Sequence, residues 1–94
     1  MDAGGQRVGP AVAGVVETEV DDSVALYQPD SGQVFVLNIT AADVWRLGDG
    51  ELTLDEVVAA LAQAYGKAPE EIHADVAATV DRLREDGLLT PAGG

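Results

Sequence analysis

The chain has 94 residues, of which 47% are hydrophobic, and its 5 Lys and Arg against 17 Asp and Glu give a formal net charge of −12. This length suits one domain with a single core, and the apolar fraction is too high for a disordered protein. The negative charge repels a phosphate backbone, and the absence of cysteine excludes disulfides and thiol chemistry while fitting a reducing compartment.

The two ends of the chain have the composition of flexible tails. Residues 1–10 and 90–94 are rich in glycine and polar residues, so the folded domain is expected to span residues 11–89. The amino-terminal stretch lacks the basic start and apolar run of a signal peptide. No apolar stretch approaches the roughly 20 residues that cross a bilayer. The sequence therefore predicts a cytoplasmic protein without a membrane partner.

Three segments in the first half of the chain have strand composition. They span residues 12–20, 24–28 and 33–37, and the first alternates valine and threonine with glutamate at its end. An Asp-Asp pair marks the first turn. Pro29 and Gly32 mark the second, because proline presets its own φ angle and glycine accepts a left-handed one. The short connections predict an antiparallel meander.

A short helix is predicted directly after the third strand. Thr40 is expected to cap its amino terminus, and Asp43, three positions on, supplies the acid of a capping-box-like pair. The helix covers residues 41–47. It ends at the Gly-Asp-Gly run that begins at Gly48.

Two longer amphipathic helices complete the pattern. Thr53 and Glu56 repeat the capping box at the start of the second helix, which ends at Gly66. Pro69 lies in the first turn of the third, which is expected to run to Gly87. The order β-β-β-α-α-α predicts an α+β fold, winged-helix-like in outline, in which three helices cover a three-stranded antiparallel sheet.

Few residues could support catalysis. His73 is the only histidine, and its place on the third helix favours a surface position over a catalytic or metal-binding one. The acidic pairs Asp55-Glu56 and Glu70-Glu71 lie in first turns of helices, where capping and the helix dipole account for them. We therefore expect no enzyme activity, no catalytic residue, no metal and no cofactor.

A winged-helix transcription factor is the alternative function. A DNA reader of that kind needs Lys and Arg along its recognition helix. The third helix instead carries Arg82 and Arg84 against six acidic residues between positions 69 and 87. The charge therefore argues against nucleic acid as a partner.

The third strand is an apolar edge that could pair with another chain. It contains no proline, and it carries Phe35 and Leu37 on one face and Val34 and Val36 on the other. An extended peptide could add a strand here, with main-chain hydrogen bonds for affinity and side-chain pockets for specificity. Alternatively, the four residues belong to the core or are covered by the first strand.

The run GQVFVLNITAADVW, residues 32–45, resembles the signature of the PqqD-like proteins. The Asp-Gly of the GDG turn, the TLDEVVAALAQAYG helix and the last helix, residues 74–89, agree with it. The resemblance covers about residues 12–89. It implies a RiPP recognition element, a module of three strands on three helices that binds the leader of a ribosomally made, later modified peptide.

The resemblance also implies where the leader binds. It adds as a strand to the third strand, and its side chains lodge between that strand and the third helix. The implied peptide-binding residues are Val34, Phe35, Val36, Leu37, Asp75, Thr79, Val80 and Arg82. For Arg82, an exposed pair with Glu85 or Asp86 is an equally good interpretation from the residues alone. Asn38, Thr40 and Trp45 match the motif, but capping and core packing account for them.

Two positions depart from the family pattern. Gly48 stands where the family usually has a large apolar residue, and Thr79 where it often has a bulky one. The first is expected to loosen the end of the short helix. The second is expected to enlarge the groove for an aromatic side chain of the partner.

The implied function is that of a non-catalytic module that presents the leader to a separate processing enzyme. Holding the leader raises the effective concentration of the attached peptide at the active site. A lasso-peptide leader protease is preferred as that enzyme, with a radical SAM enzyme as the other candidate. The surplus of acid suggests basic residues on the peptide or on the enzyme. A purely structural subunit, or a piece of a larger synthetase, is a third interpretation.

Overall fold

The computed structural model of the chain describes residues 5–90, so residues 1–4 and 91–94 of the expected tails lie outside it. Its elements are β1 (Val16–Val20), β2 (Ser23–Gln28), β3 (Gln33–Leu37), α1 (Ile39–Leu47), α2 (Leu54–Tyr65) and α3 (Pro69–Glu85). The strands form one antiparallel sheet in the order β1-β2-β3. The predicted α+β fold is confirmed.

The helices cover one face of the sheet. Leu26 of β2 and Leu37 of β3 are buried there, with Phe35 partly buried between strand and helix. Val44 from α1 and Val57 from α2 complete the centre of the core. Within residues 5–90, no helix is both long and apolar enough to cross a membrane.

The other face of the sheet is apolar, and no helix of residues 5–90 covers it. Its exposed large side chains are Val16, Val20, Tyr27, Val34 and Val36. The strand register sets Val16 beside Tyr27 and Tyr27 beside Val34, so one apolar row crosses all three strands. We call this surface the outer face.

The first strand is shorter than predicted. It begins at Val16 rather than at residue 12, because Ala11 and Val12 pair with the segment that follows α3. The Val12 N–H donates to the Leu88 carbonyl, and Ala11 forms an isolated bridge with Leu89. Ala11 and Val12 therefore make a contact outside the sheet, and a turn at residues 13–14 leads into β1.

Asn38, and not Thr40, caps α1. The Asn38 Oδ1 accepts a hydrogen bond from the Ala41 N–H at 2.8 Å, and the helix starts directly after it. Asparagine is among the strongest N-cap residues. Asp43 has a different partner from the one predicted, since it accepts from the Tyr65 hydroxyl at 2.6 Å. The pKa of Tyr65 is raised, chiefly because its hydroxyl is partly buried and secondly because of this hydrogen bond to Asp43.

The start of α2 follows the sequence prediction. The Glu56 N–H donates to the Thr53 Oγ1 and the Thr53 N–H to the Glu56 Oε1, which is a complete capping box. The hydrogen bonds from Thr53 lower the pKa of Glu56. Gly66 ends the helix at φ 68°, in the left-handed region that glycine adopts without strain.

The third helix ends two residues earlier than predicted. Its last residue is Glu85, Asp86 is the C-cap, and Gly87 has a φ of 77°. The Gln28 Nε2 donates to the Gly87 carbonyl. This bond ties the end of β2 to the end of α3.

The expectation of a flexible tail over residues 1–10 is wrong for residues 6–10. Val8 is fully buried, at 0% exposure. Its N–H donates to the Leu52 carbonyl at 2.9 Å, and its carbonyl accepts from the Gly50 N–H at 2.8 Å. The segment is therefore a strap across the loop between α1 and α2.

The strap explains the glycine at position 48. A Cβ on Gly48 would lie 3.1 Å from Val8 Cγ1 and 3.0 Å from Leu89 Cδ2. These two side chains occupy the space that a large residue at position 48 would fill. The end of α1 is not loosened, because the Gly48 N–H donates to the Val44 and Trp45 carbonyls.

Gly48→Leu is expected to lower the free energy of unfolding by about 1–3 kcal/mol, since it overpacks this region. Thermal melting measures the loss. Gly5→Leu is the matched control, because no atom of residues 5–90 lies within 4 Å of a Cβ built there. Val8→Ala in the Gly48→Leu chain should recover part of the stability. Equal melting temperatures for Gly48→Leu and the parent would contradict the packing described here.

Candidate functional site

A groove of about 760 Å³ lies between β3 and α3, and the start of α1 closes one end of it. Its lining residues are Val34, Phe35, Val36, Leu37, Asn38, Thr40, Ala41, Asp75, Ala78, Thr79, Arg82, Leu83 and Asp86. Seven of the eight residues that the sequence suggested are therefore brought together in one place. The exception is Val80.

Val80 belongs to the core and not to the groove. It is 2% exposed and packs with Val76 and Leu83 in the buried cluster. A helix turns by about 100° per residue, so Val80 and Thr79 lie on different faces of α3. We leave Val80 out of the candidate site.

The strand beside the groove is a free edge. β3 pairs with β2 on one side, and no other strand of residues 5–90 pairs with its second side. The alternative in which the first strand covers it is wrong, because β1 pairs with the far side of β2. An edge of this kind offers main-chain donors and acceptors to an extended chain.

The side chains of β3 divide between the groove and the outer face. Phe35 and Leu37 turn toward the helices and form the apolar floor of the groove. Val34 and Val36 are 61% and 71% exposed, and their side chains belong to the outer face. These two valines therefore contribute to the groove mainly through their backbone.

The opposite wall of the groove is one stripe of α3. Asp75, Thr79 and Arg82 are spaced by four and three residues, which places them on one helix face. The Thr79 Oγ1 donates to the Asp75 carbonyl at 2.8 Å, so this hydroxyl is satisfied within the helix. Ala78 and Thr79 are both small, which leaves the middle of the groove wide.

Among residues 5–90, Arg82 is the only cation that lines the groove. It forms no ion pair within residues 5–90, so the pair with Glu85 or Asp86 is absent. By contrast, Arg84 pairs with Asp81, and Arg46 pairs with two glutamates of β1. The Arg82 guanidinium is therefore available to a ligand.

The strand and the helix that form the groove run in opposite directions. Gln28 is the register partner of Gln33 and bonds the Gly87 carbonyl, so the start of β3 lies near the end of α3. The Trp45 Nε1 donates to the Leu88 carbonyl, which brings the end of α1 to the same place. The end of β3 and the start of α1 therefore lie toward the earlier turns of α3.

His73 lies apart from the groove. Its Nε2 is 3.5 Å from the Asp55 Oδ1, and both side chains are largely exposed. Across residues 5–90, His, Cys, Asp and Glu nowhere gather in a group of three or more that could hold a metal ion. The chemistry of the groove is therefore that of an apolar floor with a few charges.

Sequence reasoning missed several lining residues. They are Asn38, Thr40, Ala41, Ala78, Leu83 and Asp86. Ala78, Leu83 and Asp86 follow Asp75 by three, eight and eleven residues, so a full projection of this helix face would have found them. The members from α1 depend on how that helix docks. The hydrophobic periodicity of the sequence does not predict how α1 docks against β3 and α3.

Comparisons with known proteins agree with this architecture. The family model of Coenzyme PQQ synthesis protein D (PqqD) matches residues 23–89. The solved structure of TbiB1 in complex with the TbiA(beta) leader peptide is 23% identical, covers 89% of this chain and 98% of that chain, and has a TM-score of 0.76. At this sequence identity, the structural similarity shows that the two chains share a fold.

A second solved structure is similar over most of both chains. It is the PqqD truncation of Methylobacterium extorquens PqqCD, which is described as a functional and stand-alone RiPP recognition element. It is 28% identical, covers 93% of each chain and has a TM-score of 0.74. No curated protein sequence matches this chain.

Proposed function

We propose that this chain, which belongs to the PqqD family, is a non-catalytic recognition element for a precursor peptide. It captures the leader of a ribosomally synthesised peptide by strand addition to β3. The observation that supports this most directly is the groove beside the unpaired edge of that strand. The similar structures include one recognition element and one protein in complex with a leader peptide.

The groove offers two kinds of contact to an extended peptide. The peptide backbone forms hydrogen bonds with the free edge of β3, and every second side chain of the peptide points into the groove. These inward side chains lie on Phe35 and Leu37 and next to Thr79. Because Thr79 is small, the groove has room for one large side chain of the leader, an aromatic one being best suited.

The bound leader is presented to a separate processing enzyme. The chain supplies no chemistry; it raises the effective concentration of the attached peptide at the active site. A lasso-peptide leader protease is the preferred enzyme, and a radical SAM enzyme is the other candidate. The bare outer face supports such a partnership, since an apolar surface of this kind suits a protein contact. It lies on the other side of the sheet and leaves the groove open.

Titration calorimetry with a synthetic leader tests the proposal directly. The peptide is the leader of the precursor encoded nearest to this gene, with a scrambled peptide of the same composition as control. We expect binding of the leader alone. A mobility shift with random duplex DNA at low salt tests the winged-helix alternative, because even non-specific binders show affinity there. A shifted duplex together with an unbound leader would overturn the proposal.

Arg82→Ala is expected to weaken leader binding while leaving the melting temperature near that of the parent. Arg82 is exposed and forms no ion pair within residues 5–90, so the fold loses little. A charge at a partly desolvated interface can cost about 2 kcal/mol or more when it is truncated. The remaining binding should also depend less on salt.

Titrations at two salt concentrations measure both effects. Lys67→Ala is the matched control, because it removes an exposed cation that does not line the groove. An Arg82→Ala chain that binds as tightly as the parent at both salt concentrations would remove Arg82 from the site.

A further inference from the structure

The charges of the groove are arranged in a fixed order along α3. Asp75 lies toward the end of β3, at the start of α1, and Arg82 lies toward the beginning of β3. Asp86 follows one turn later, at the end of the groove. A ligand that enters this groove therefore meets a carboxylate at one end and a guanidinium nearer to the other.

The spacing of these charges can be compared with that of an extended peptide. Seven residues separate Asp75 from Arg82, which is about 10 Å along a helix axis. A strand advances about 3.3 Å per residue, and only alternate side chains point into the groove. Inward side chains two or four positions apart lie about 7 or 13 Å apart, and long charged side chains make up the difference. One bound strand can therefore reach both charges.

The existing sheet favours one direction for the added strand. All pairs in the sheet are antiparallel, and antiparallel pairing is the slightly more stable of the two per residue. A strand antiparallel to β3 has its amino-terminal part near Leu37 and Asp75. Its carboxyl-terminal part lies near Gln33 and Arg82.

We infer that the groove selects leaders by the order of two charges. The leader carries a Lys or Arg that pairs with Asp75, and an Asp or Glu two or four residues later that pairs with Arg82. Asp86, beyond Arg82, disfavours a further acidic residue where the peptide leaves the groove. This inference rests on the proposed function, and it specifies a mixed-charge peptide even though the chain itself has a net charge of −12.

A display library of random 12-residue peptides, selected on the immobilised chain, tests the inference. Peptides that also bind a Thr79→Trp variant are discarded first, because a tryptophan there fills the middle of the groove. Among the remaining peptides we expect enrichment of a basic residue two or four positions before an acidic one. Individual peptides with the two charges exchanged should bind about tenfold more weakly, since each then faces a like charge.

A double charge exchange, Asp75→Lys with Arg82→Glu, provides the decisive comparison. It keeps the net charge, and peptides selected on it should carry the acidic residue before the basic one. Lys67→Glu with Glu71→Lys is the matched control, since neither residue lines the groove, and it should select the parental order. The inference is overturned if the enriched peptides show no preferred order of basic and acidic residues, or if the exchanged chain selects the same order as the parent. Either result leaves the proposed peptide binding in place. An absence of groove-dependent peptides overturns the proposed function as well.

Discussion

Trp45→Ala is expected to unfold the chain or to lower its melting temperature severely. Trp45 packs against the core cluster, and its Nε1 donates to the Leu88 carbonyl at 3.2 Å. This contact joins α1 to the segment that follows α3. Truncation of a fully buried Trp costs about 3–5 kcal/mol, and the partly buried Trp45 should lose a large share of this. Whole domains are stable by about 5–15 kcal/mol.

Thermal melting followed by circular dichroism measures this loss. For a domain of this size, each kcal/mol shifts the melting temperature by about 4–8 °C. Tyr27→Ala is the control, because it removes an aromatic side chain from the bare outer face. Trp45→Phe keeps most of the packing, and since Trp45 does not line the groove, its leader affinity should equal the parent's. A stable Trp45→Ala chain that no longer binds the leader would instead place Trp45 in the site.

In β1, the alternation of valine and glutamate correctly predicts a strand but does not predict which of its faces the helices cover. Its valines alternate with glutamates, and a cover by helices would be expected on the valine face. The structure places Val16 and Val20 on the outer face, whereas Glu17 and Glu19 lie on the helix side of the sheet. Arg46 of α1 pairs with both carboxylates and holds β1 to the helix layer. Periodicity gives two faces of a strand, but the docking of the helices decides which face is covered.

The errors at the first helix and at the amino terminus have local causes. Both Asn38 and Thr40 can accept a hydrogen bond at a helix start, and only the backbone path after β3 selects Asn38. The strap is held by main-chain hydrogen bonds and by one buried valine, Val8. Such bonds require no particular composition. The glycine-rich sequence of residues 1–10 therefore resembled a tail.

The groove was predictable in part. Hydrophobic alternation identified Phe35 and Leu37 as one face of β3. The spacings of four and three residues between Asp75, Thr79 and Arg82 are those of one stripe of a helix, which the sequence alone contains. That these two surfaces face each other was implied only by the family resemblance. The resemblance also included Val80, which the structure buries. Neighbouring residues of a helix can lie on either side of the boundary between its buried face and its exposed flank. The sequence alone does not show on which side of this boundary a residue such as Val80 lies.

Val36→Pro is expected to reduce leader binding by about a hundredfold or more while the chain stays folded. Proline is tolerated on edge strands, and the Val36 side chain is 71% exposed, so little packing is lost. Proline removes a backbone donor from β3, and its ring crowds the strand that adds beside it. An unpaired main-chain group costs about 1–3 kcal/mol, and the ring prevents neighbouring bonds as well.

Calorimetry on folded protein measures the loss. Glu19→Pro, on the opposite edge strand β1, is the matched control with unchanged affinity, because the Glu19 N–H points away from β2. Leaders that carry single backbone N-methyl groups test the same bonds from the peptide side, without any change to the protein. Alternate positions of the leader should be sensitive, because only every second amide of a strand faces its neighbour. If Val36→Pro and every N-methylated leader bind like their parents, the leader does not add to the edge of β3. Binding would then depend on side chains in the groove alone.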